Sequence, residues 1–371
     1  MKVTILMSDT GGGHRSVATA VRSALITAKP GLCVELVDGL LHYAPYPLNQ
    51  LPDWYATIIA HFIGLWRSGY ALSDGPLRTR VLNLLARPYL RSSVRRFVQQ
   101  HKFDLLVSTH PMLVSSILDG LGVSQPPFVT VVTDLVTAHA WWFDRRASLT
   151  LVPTKEARSK ALRCGIAPEL VQVVGLPVSE SFSKKLNKQL VREKLGWDPS
   201  AFTVLLMGGA EGMAPLQDIA NALRISGMSL QLAIVCGRNE RLLSDLKALD
   251  WPINTHIYGF VDNVSVLIRG ADAVTTKAGP STVMEVLNCG RPLLLCGAVP
   301  GQEDGNVSFV LEHNLGWWTP FPDDVLSRLR LLQERDAGIL NHVSTAIDDL
   351  LVPQSASTVA SKIISLLPKA V

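Results

Sequence analysis

Short apolar runs alternate with stretches of helical spacing along nearly the whole chain. The runs at residues 2–7, 33–38, 103–108, 128–133, 149–152 and 171–174 predict strands, and a second series follows at 203–207, 230–236, 254–258, 273–275 and 292–295. The stretch 14–28 and the segments between later strands read as helices. Strands separated by helices imply a parallel sheet covered on both faces. Residues 175–188 change character, with Pro177, three serines and a cluster of lysines, and are the predicted interdomain linker. The expected architecture is α/β, with two Rossmann-like domains at 1–178 and 179–371 and a final helix that is a candidate to pack back on the first. Two such sheets facing each other would make a cleft lined by the carboxyl ends of their strands, where ligands bind in open parallel sheets.

One segment departs from the alternation. Residues 51–100 form an insertion with Trp54, Ile58, His61, Phe62, Leu65 and Trp66 at helical spacing. From Gly75 to Phe103 it holds no acid, yet it carries Arg78, Arg80, Arg87, Arg91, Arg95, Arg96 and Lys102. Such a segment favours an anionic membrane surface by about 1 kcal/mol per basic side chain near it. A solvated helix face is the equally weighted reading.

Composition narrows the classes. With 47% hydrophobic and 18% charged residues, 371 residues suffice for two well-filled cores. No run of about 20 apolar residues exists to span a bilayer. The apolar stretch after Lys2 is too short for a signal peptide, so the expectation is a cytoplasmic protein, peripheral to the membrane. Cys33, Cys164, Cys236, Cys289 and Cys296 show neither CxxC nor zinc spacing, so no disulfide and no metal are expected. The net charge of +4 is modest, and no nucleic-acid partner is expected.

Four loops carry candidate chemistry. Ser8-Asp9-Thr10-Gly11-Gly12-Gly13-His14-Arg15-Ser16 follows the first strand, and its glycines let the backbone approach a ligand beside a helix start. It lacks the GK[ST] of a Walker loop and ends its near-dinucleotide pattern on Ser16, although Asp38 stands where a ribose-binding acid would. His14 is placed to take a proton from a hydroxyl, or merely to pack. Met207-Gly208-Gly209-Ala210-Glu211-Gly212-Met213 repeats the glycine-before-helix design. In Thr276-Lys277-Ala278-Gly279-Pro280-Ser281-Thr282-Val283-Met284-Glu285, Thr282 and Glu285 form a capping-box pattern that competes with a ribose-binding role for Glu285. The polar loop Val299-Pro300-Gly301-Gln302-Glu303-Asp304-Gly305-Asn306 suits sugar hydroxyls, or solvent.

Together with Thr133-Asp134-Leu135-x-Thr137-x-His139-x-Trp141 and Val152-Pro153-Thr154, these loops resemble, in order from Ser8 to Asn306, the monogalactosyldiacylglycerol synthase family and bacterial diacylglycerol glucosyltransferases. The resemblance implies a GT-B fold and inverting transfer of galactose or glucose from a UDP-sugar to diacylglycerol, with no obligatory metal or cofactor. By the same resemblance, Gly208, Gly209, Glu211 and Gly212 with Lys277, Gly279, Pro280, Ser281 and Thr282 would hold the diphosphate side of the donor. Glu285 would bind ribose, Phe260 and Val261 uracil, and Gln302, Glu303 and Asn306 the sugar. His14 is the candidate base, with Asp134 as second candidate or orienting group. Gly12, Gly13, Trp54, Trp66, Arg78, Arg91 and Arg95 are the acceptor and membrane candidates. Ser281 and Ala214 depart from the glycines usual in the plant enzymes, and with no plastid-targeting extension a bacterial context is expected. A lipid-linked N-acetylglucosaminyltransferase, a UDP-sugar epimerase and a non-catalytic sugar-nucleotide binder remain the alternatives.

Overall fold

A computed structural model describes residues 1–122, 126–184, 186–212, 214–334, 337–350, 352 and 354–368; Lys185 and Met213, both within predicted segments, lie outside them. The chain divides into one unit made of Met1–Glu180, Pro300–Gly305 and Val352–Val371 and a second made of Ser181–Val299 and Asn306–Leu351.

The first unit runs β1 (Lys2–Met7), α1 (Gly13–Ala28), β2 (Cys33–Asp38), α2 (Gly39–Tyr43), α3 (Leu51–His61), α4 (Ile63–Ser73), α5 (Pro76–Gln100), β3 (Leu105–Ser108), α6 (Pro111–Leu121), β4 (Phe128–Val131), β5 (Leu149–Val152), α7 (Lys155–Arg163) and β6 (Val171–Val173). Its sheet has the order β2-β1-β3-β4-β5-β6. Every recorded strand pair is parallel. Strands buried on both faces must be apolar throughout, and Ile5, Leu6, Leu105, Leu106, Val107, Phe128 and Val129 are fully buried.

The second unit contains α8 (Lys188–Leu195), β7 (Thr203–Met207), α9 (Leu216–Ile225), β8 (Gln231–Val235), α10 (Glu240–Lys247), β9 (Thr255–Tyr258), α11 (Val264–Gly270), β10 (Ala273–Lys277), α12 (Pro280–Asn288), β11 (Leu293–Gly297), α13 (Asp304–Glu312, whose first two residues group with the first unit), β12 (Gly316–Trp318), α14 (Pro322–Gln333) and α15 (Ala337–Leu350). Its order, β12-β11-β10-β7-β8-β9, is that of a dinucleotide-binding doubly wound sheet. The last helix, α16 (Ser355–Ser365), belongs to the first unit, where it packs on α1 and Ser355 Oγ donates to the Leu176 carbonyl at 2.7 Å.

In both sheets the strand order reverses beside the first strand, between β1 and β3 and between β7 and β10. At such a point the loops leave to opposite faces and open a crevice at the strand ends. The glycine loops at 8–13 and 208–212 leave from these two places.

The insertion 51–100 is helical, as its spacing predicts, and α3, α4 and α5 leave much of their apolar surface in solvent. Leu65, Leu72, Leu77 and Leu85 are each more than 70% exposed, and Phe62, Val81 and Leu84 more than half. Among the described residues no helix is long and apolar enough to cross a membrane.

Candidate active site

The site of the first unit starts from backbone geometry. Gly11 and Gly12 have φ of 87° and 83°, in the left-handed region that disfavours a side chain. A Cβ on Gly11 would also stand 3.1 Å from the Tyr55 ring. With Gly12 as N-cap, α1 starts at Gly13 and places His14 in its first turn. His14 is 8% exposed, and its Nδ1 lies 2.8 Å from the Thr109 carbonyl and 2.9 Å from Thr133 Oγ1. A carbonyl only accepts, so Nδ1 carries the proton and Nε2 keeps its lone pair. Burial pushes the imidazole pKa down to about 4, outweighing the Thr109 carbonyl and Asp9, which pull the other way. His14 is therefore a neutral imidazole near neutral pH.

His110 meets His14 edge-on at 4.6 Å between ring centroids, and its Nε2 lies 3.2 Å from Thr10 Oγ1. Burial first, and then His14, hold its pKa well below the usual histidine value. Both histidines stand at the strand-order reversal, one after β1 and one after β3.

Asp134 is buried but does not touch His14; its Oδ2 accepts from Trp142 Nε1 at 2.6 Å, and the Trp142 ring lies 6.0 Å from that of His14. Burial raises its pKa to about 6, with Glu303 adding to the rise and the Trp142 bond opposing it. The two candidate bases thus occupy separate environments, and among the described residues no carboxylate is hydrogen-bonded to His14. Asp38, the candidate ribose acid, accepts from Ser8 Oγ and the Leu41 amide, both at 2.9 Å. It caps α2, which removes the support for a nicotinamide site.

The loop that was expected to read the donor sugar is divided. Residues 300–305 group with the first unit rather than with the predicted C-terminal donor domain. Thr137 Oγ1 donates to the Gln302 carbonyl at 2.5 Å, and Tyr55 hydroxyl donates to Gln302 Oε1 at 3.4 Å. Glu303 is 3% exposed, and after burial its charge is what raises the Tyr55 pKa most. Asn306 stays in the second unit, where Nδ2 donates to the Ala278 carbonyl at 2.8 Å while Oδ1 has no partner among the described residues. Its amide braces the turn before α12.

In the second unit, Gly209 and Gly212 have φ of 73° and 61°. A Cβ on Gly212 would meet the Cys236 carbonyl at 2.5 Å, and one on Gly208 would meet Gly212 itself. The loop is folded so tightly that a side chain is excluded at Gly208 and Gly212. Glu211 pairs with Arg238 at 2.5 Å, and Arg238 lies over the Phe260 ring at 4.8 Å. Lys277 ends β10, and Ala278-Gly279 turns into α12. The N-cap is Gly279, with Pro280 in the first turn, so Thr282 is already the third helical residue. This corrects the capping-box reading: Pro280, with no N–H to lose, starts the helix earlier than that pattern requires. Ser281 is buried and Thr282 and Glu285 are half-buried. Val261 follows Phe260 in the turn after β9.

The membrane candidates also separate. Trp54 is 41% exposed. Trp66, half-buried, packs edge-on to Tyr55 at 5.5 Å and beside Tyr70 at 6.5 Å. Arg78 directs its guanidinium to the Ala71 and Asp74 carbonyls at 3.2 and 3.4 Å, capping α4. Arg91 and Arg95, with Arg87 and Asn83, line a groove of about 460 Å³ between α5 and α6.

Sequence reasoning passed over His110, Thr109, Trp142, Tyr55 and Tyr70 as site residues. A signal existed for one of them: His110-Pro111 comes one residue after a strand and opens a helix, the position that brings a side chain to the crevice.

Residues 14–178 match the family model described as Monogalactosyldiacylglycerol (MGDG) synthase, and residues 203–307 match the glycosyltransferase family 28 C-terminal domain. Monogalactosyldiacylglycerol synthase 3, chloroplastic, of Arabidopsis thaliana is 36% identical over 336 residues, covering 87% of this chain and 72% of that protein. The chloroplastic monogalactosyldiacylglycerol synthase of Spinacia oleracea is 35% identical over 338 residues; the match covers 87% of this chain and spans 64% of the spinach protein's length. These relatives are chloroplastic plant enzymes and lend no support to the expected bacterial context. Among solved structures, Acinetobacter baumannii MurG matches with a TM-score of 0.62 at 17% identity, covering 98% of this chain and 99% of that one. Anabaena HepE in complex with UDP-glucose matches at 0.60 and 14%, with 99% of each chain covered. The fold is GT-B.

Proposed function

The chain belongs to the monogalactosyldiacylglycerol synthase family, and on that premise we propose that it transfers galactose from UDP-galactose to diacylglycerol with inversion at the anomeric carbon. The observation that carries the proposal is the buried, neutral His14, with Nδ1 held by Thr109 and Nε2 open. In the proposed step, Nε2 takes the proton from the acceptor hydroxyl. The oxygen forms its bond to the anomeric carbon, and UDP departs with the electron pair of the broken bond.

The leaving diphosphate gains negative charge, which amides at a helix start stabilise without a metal. The loop at 208–212 and the start of α12 at Ser281 and Thr282 take this role, with Lys277 beside them. Glu285 binds ribose, Gly259-Phe260-Val261 faces uracil, and Gln302 and Glu303 contact the sugar. Asp134 acts as an ionised orienting group beside the acceptor. No cofactor is part of the scheme.

Delivery of so apolar an acceptor calls for contact with the bilayer, and exposed apolar surface of this extent marks an interaction site. The exposed leucines of α4 and α5 rest in the interface, and the groove lined by Arg87, Arg91 and Arg95 faces anionic headgroups. The protein is in this reading peripheral, on the cytoplasmic side.

The test is incubation with diacylglycerol vesicles and either UDP-galactose or UDP-glucose, with wild type and His14→Ala. A galactolipid formed by wild type and lost in the variant, with donor binding retained, is expected. Absence of any lipid product from both donors overturns the assignment, and conversion of the UDP-sugar itself would indicate an epimerase.

A further inference from the structure

Polar groups at the corner between α4 and α5 reach partners outside the insertion, while Ser73 Oγ also donates to the Gly69 carbonyl at 2.7 Å within it. Asp74 Oδ1 accepts from the Ala140 amide at 2.9 Å, and Oδ2 pairs with Lys160 Nζ at 2.6 Å. One residue earlier, Ser73 Oγ lies 3.1 Å from His139 Nε2. His139 Nδ1 accepts from the Trp141 amide at 3.1 Å, so Nε2 carries the proton and donates to Ser73. One turn back, Tyr70 hydroxyl donates to the Thr137 carbonyl at 2.7 Å, and its ring meets His139 at 4.9 Å. Every one of these outward bonds ends on residues 137–141 or on Lys160 of α7. The segment 134–142 is the one that carries Asp134 and Trp142. Exposed Leu72 and Leu77 flank this corner, and exposed Phe62, Ile63 and Leu65 lie at and just before the start of α4.

We propose that Ser73 and Asp74 form a latch that couples the seating of the apolar helices on a lipid surface to the position of the Asp134–Trp142 segment, with Asp74 as the positioning residue. The inference rests on the reading of the protein as a lipid glycosyltransferase. Asp74 touches neither acceptor nor donor; it acts through the Ala140 amide. A carboxylate bonded to both an amide and an ammonium is stronger than neutral pairs and directional, so it transmits a displacement of the corner. Strong coupling is expected because the helices have few other polar ties to this segment among the described residues.

The test compares diacylglycerol in vesicles with a short-chain diacylglycerol dissolved as monomers, using wild type, Asp74→Ala and Asp74→Asn. Wild type is expected to be stimulated by the vesicle surface. Asp74→Ala lowers kcat on vesicles about tenfold, the scale of one lost charge-assisted hydrogen bond. Its rate on the monomeric acceptor, its KM for the UDP-sugar and its vesicle partitioning stay within about twofold of wild type, since none of these passes through the Ala140 amide. Asp74→Asn, which keeps an acceptor for Ala140 but loses the Lys160 charge, falls between. Equal loss on both acceptors, or loss of vesicle binding in parallel, overturns the latch and leaves a structural or docking role. An unchanged Asp74→Ala also overturns it. Lack of any lipid product from wild type would instead remove the functional reading beneath it.

Discussion

The two places where strand order reverses are built from opposite materials. In the first unit the strand ends hold buried titratable side chains, His14, His110 and Asp134, each with a pKa displaced mainly by burial. In the second unit the equivalent loops hold glycines at positive φ and a helix start, and the sequences 208–212 and 277–282 contain no histidine. A proton-transfer group must be a side chain kept dry enough to stay in one protonation state. A diphosphate is held by backbone amides, which require bare glycine so that the anion can approach. In the proposed reading the same topology supports a chemical half and a binding half, one built on buried titratable side chains and the other on glycines and a helix start.

The sharpest way to break this comparison is His14→Ala. Removing a general base is expected to lower kcat by about 10²–10⁴. UDP-sugar affinity, measured by calorimetry, should not change. A variant that loses donor affinity instead would place His14 in the binding half. The converse substitution is Gly212→Ala. A methyl group at φ 61°, pressed to 2.5 Å from the Cys236 carbonyl, must shift the loop. Backbone strain of this kind costs about 1–3 kcal/mol, so donor KM should rise roughly tenfold or more. The kcat at saturating donor and the pH profile should stay near wild type.

The third test separates the two acid–base candidates within the first unit. In the proposed scheme full activity needs Asp134 ionised and His14 unprotonated, so the rate is expected to fall as pH drops through each pKa. Asp134, at about 6, is reached first on acidification and sets the acid limb of kcat/KM. Asp134→Asn removes that limb, and the remaining one should lie near 4, where His14 gains its proton. At pH 5 the wild type should thus stand about tenfold below its plateau while the variant stays on its own. The same groups act on folding with opposite signs. His14 is depressed from 6.5, so the unfolded chain binds its proton first and stability falls as pH drops from 6.5 towards 4. Asp134 is raised from 3.8, so it destabilises the fold above about 6 and progressively less as pH falls towards 3.8.

How much of this was legible in the sequence follows from the range of each interaction. The ends of β1, β2, β5 and β7 coincide with their predicted runs; β1, β5 and β7 are buried almost throughout, which demands an apolar run, while the edge strand β2 is only partly buried. β12 was missed, since three residues, Gly316-Trp317-Trp318, are too few to show a period. The glycine loops were legible because an unusual backbone demands an unusual residue. Their partners were not: Thr109 and Thr133 meet His14 across 95 and 119 residues, distances over which no local pattern operates. Gln302 and Glu303 were assigned to the donor domain by position in the chain, but Thr137 and Tyr55 determine where they lie. The capping-box pattern at Thr282 and Glu285 was overridden by the proline two residues earlier.

The smallest effect tests a part of the first unit away from the buried histidines. Arg91 and Arg95 line a groove in which Asp119 is the acid among the described lining residues, and Asp119 is already engaged by Arg146 at 2.7 Å and Arg87 at 3.7 Å. If the groove faces anionic lipid, each arginine contributes about 1 kcal/mol to membrane attachment, so Arg91→Ala and Arg95→Ala should each weaken partitioning onto anionic vesicles about fivefold. The effect should shrink in high salt, which screens exposed charge, and vanish on vesicles of neutral lipid. Activity on a monomeric short-chain acceptor should be unaffected, because His14 keeps its partners. Equal partitioning of both variants and wild type would assign these arginines to solvent and leave attachment to the leucines of α4 and α5, whose contribution is apolar and indifferent to salt.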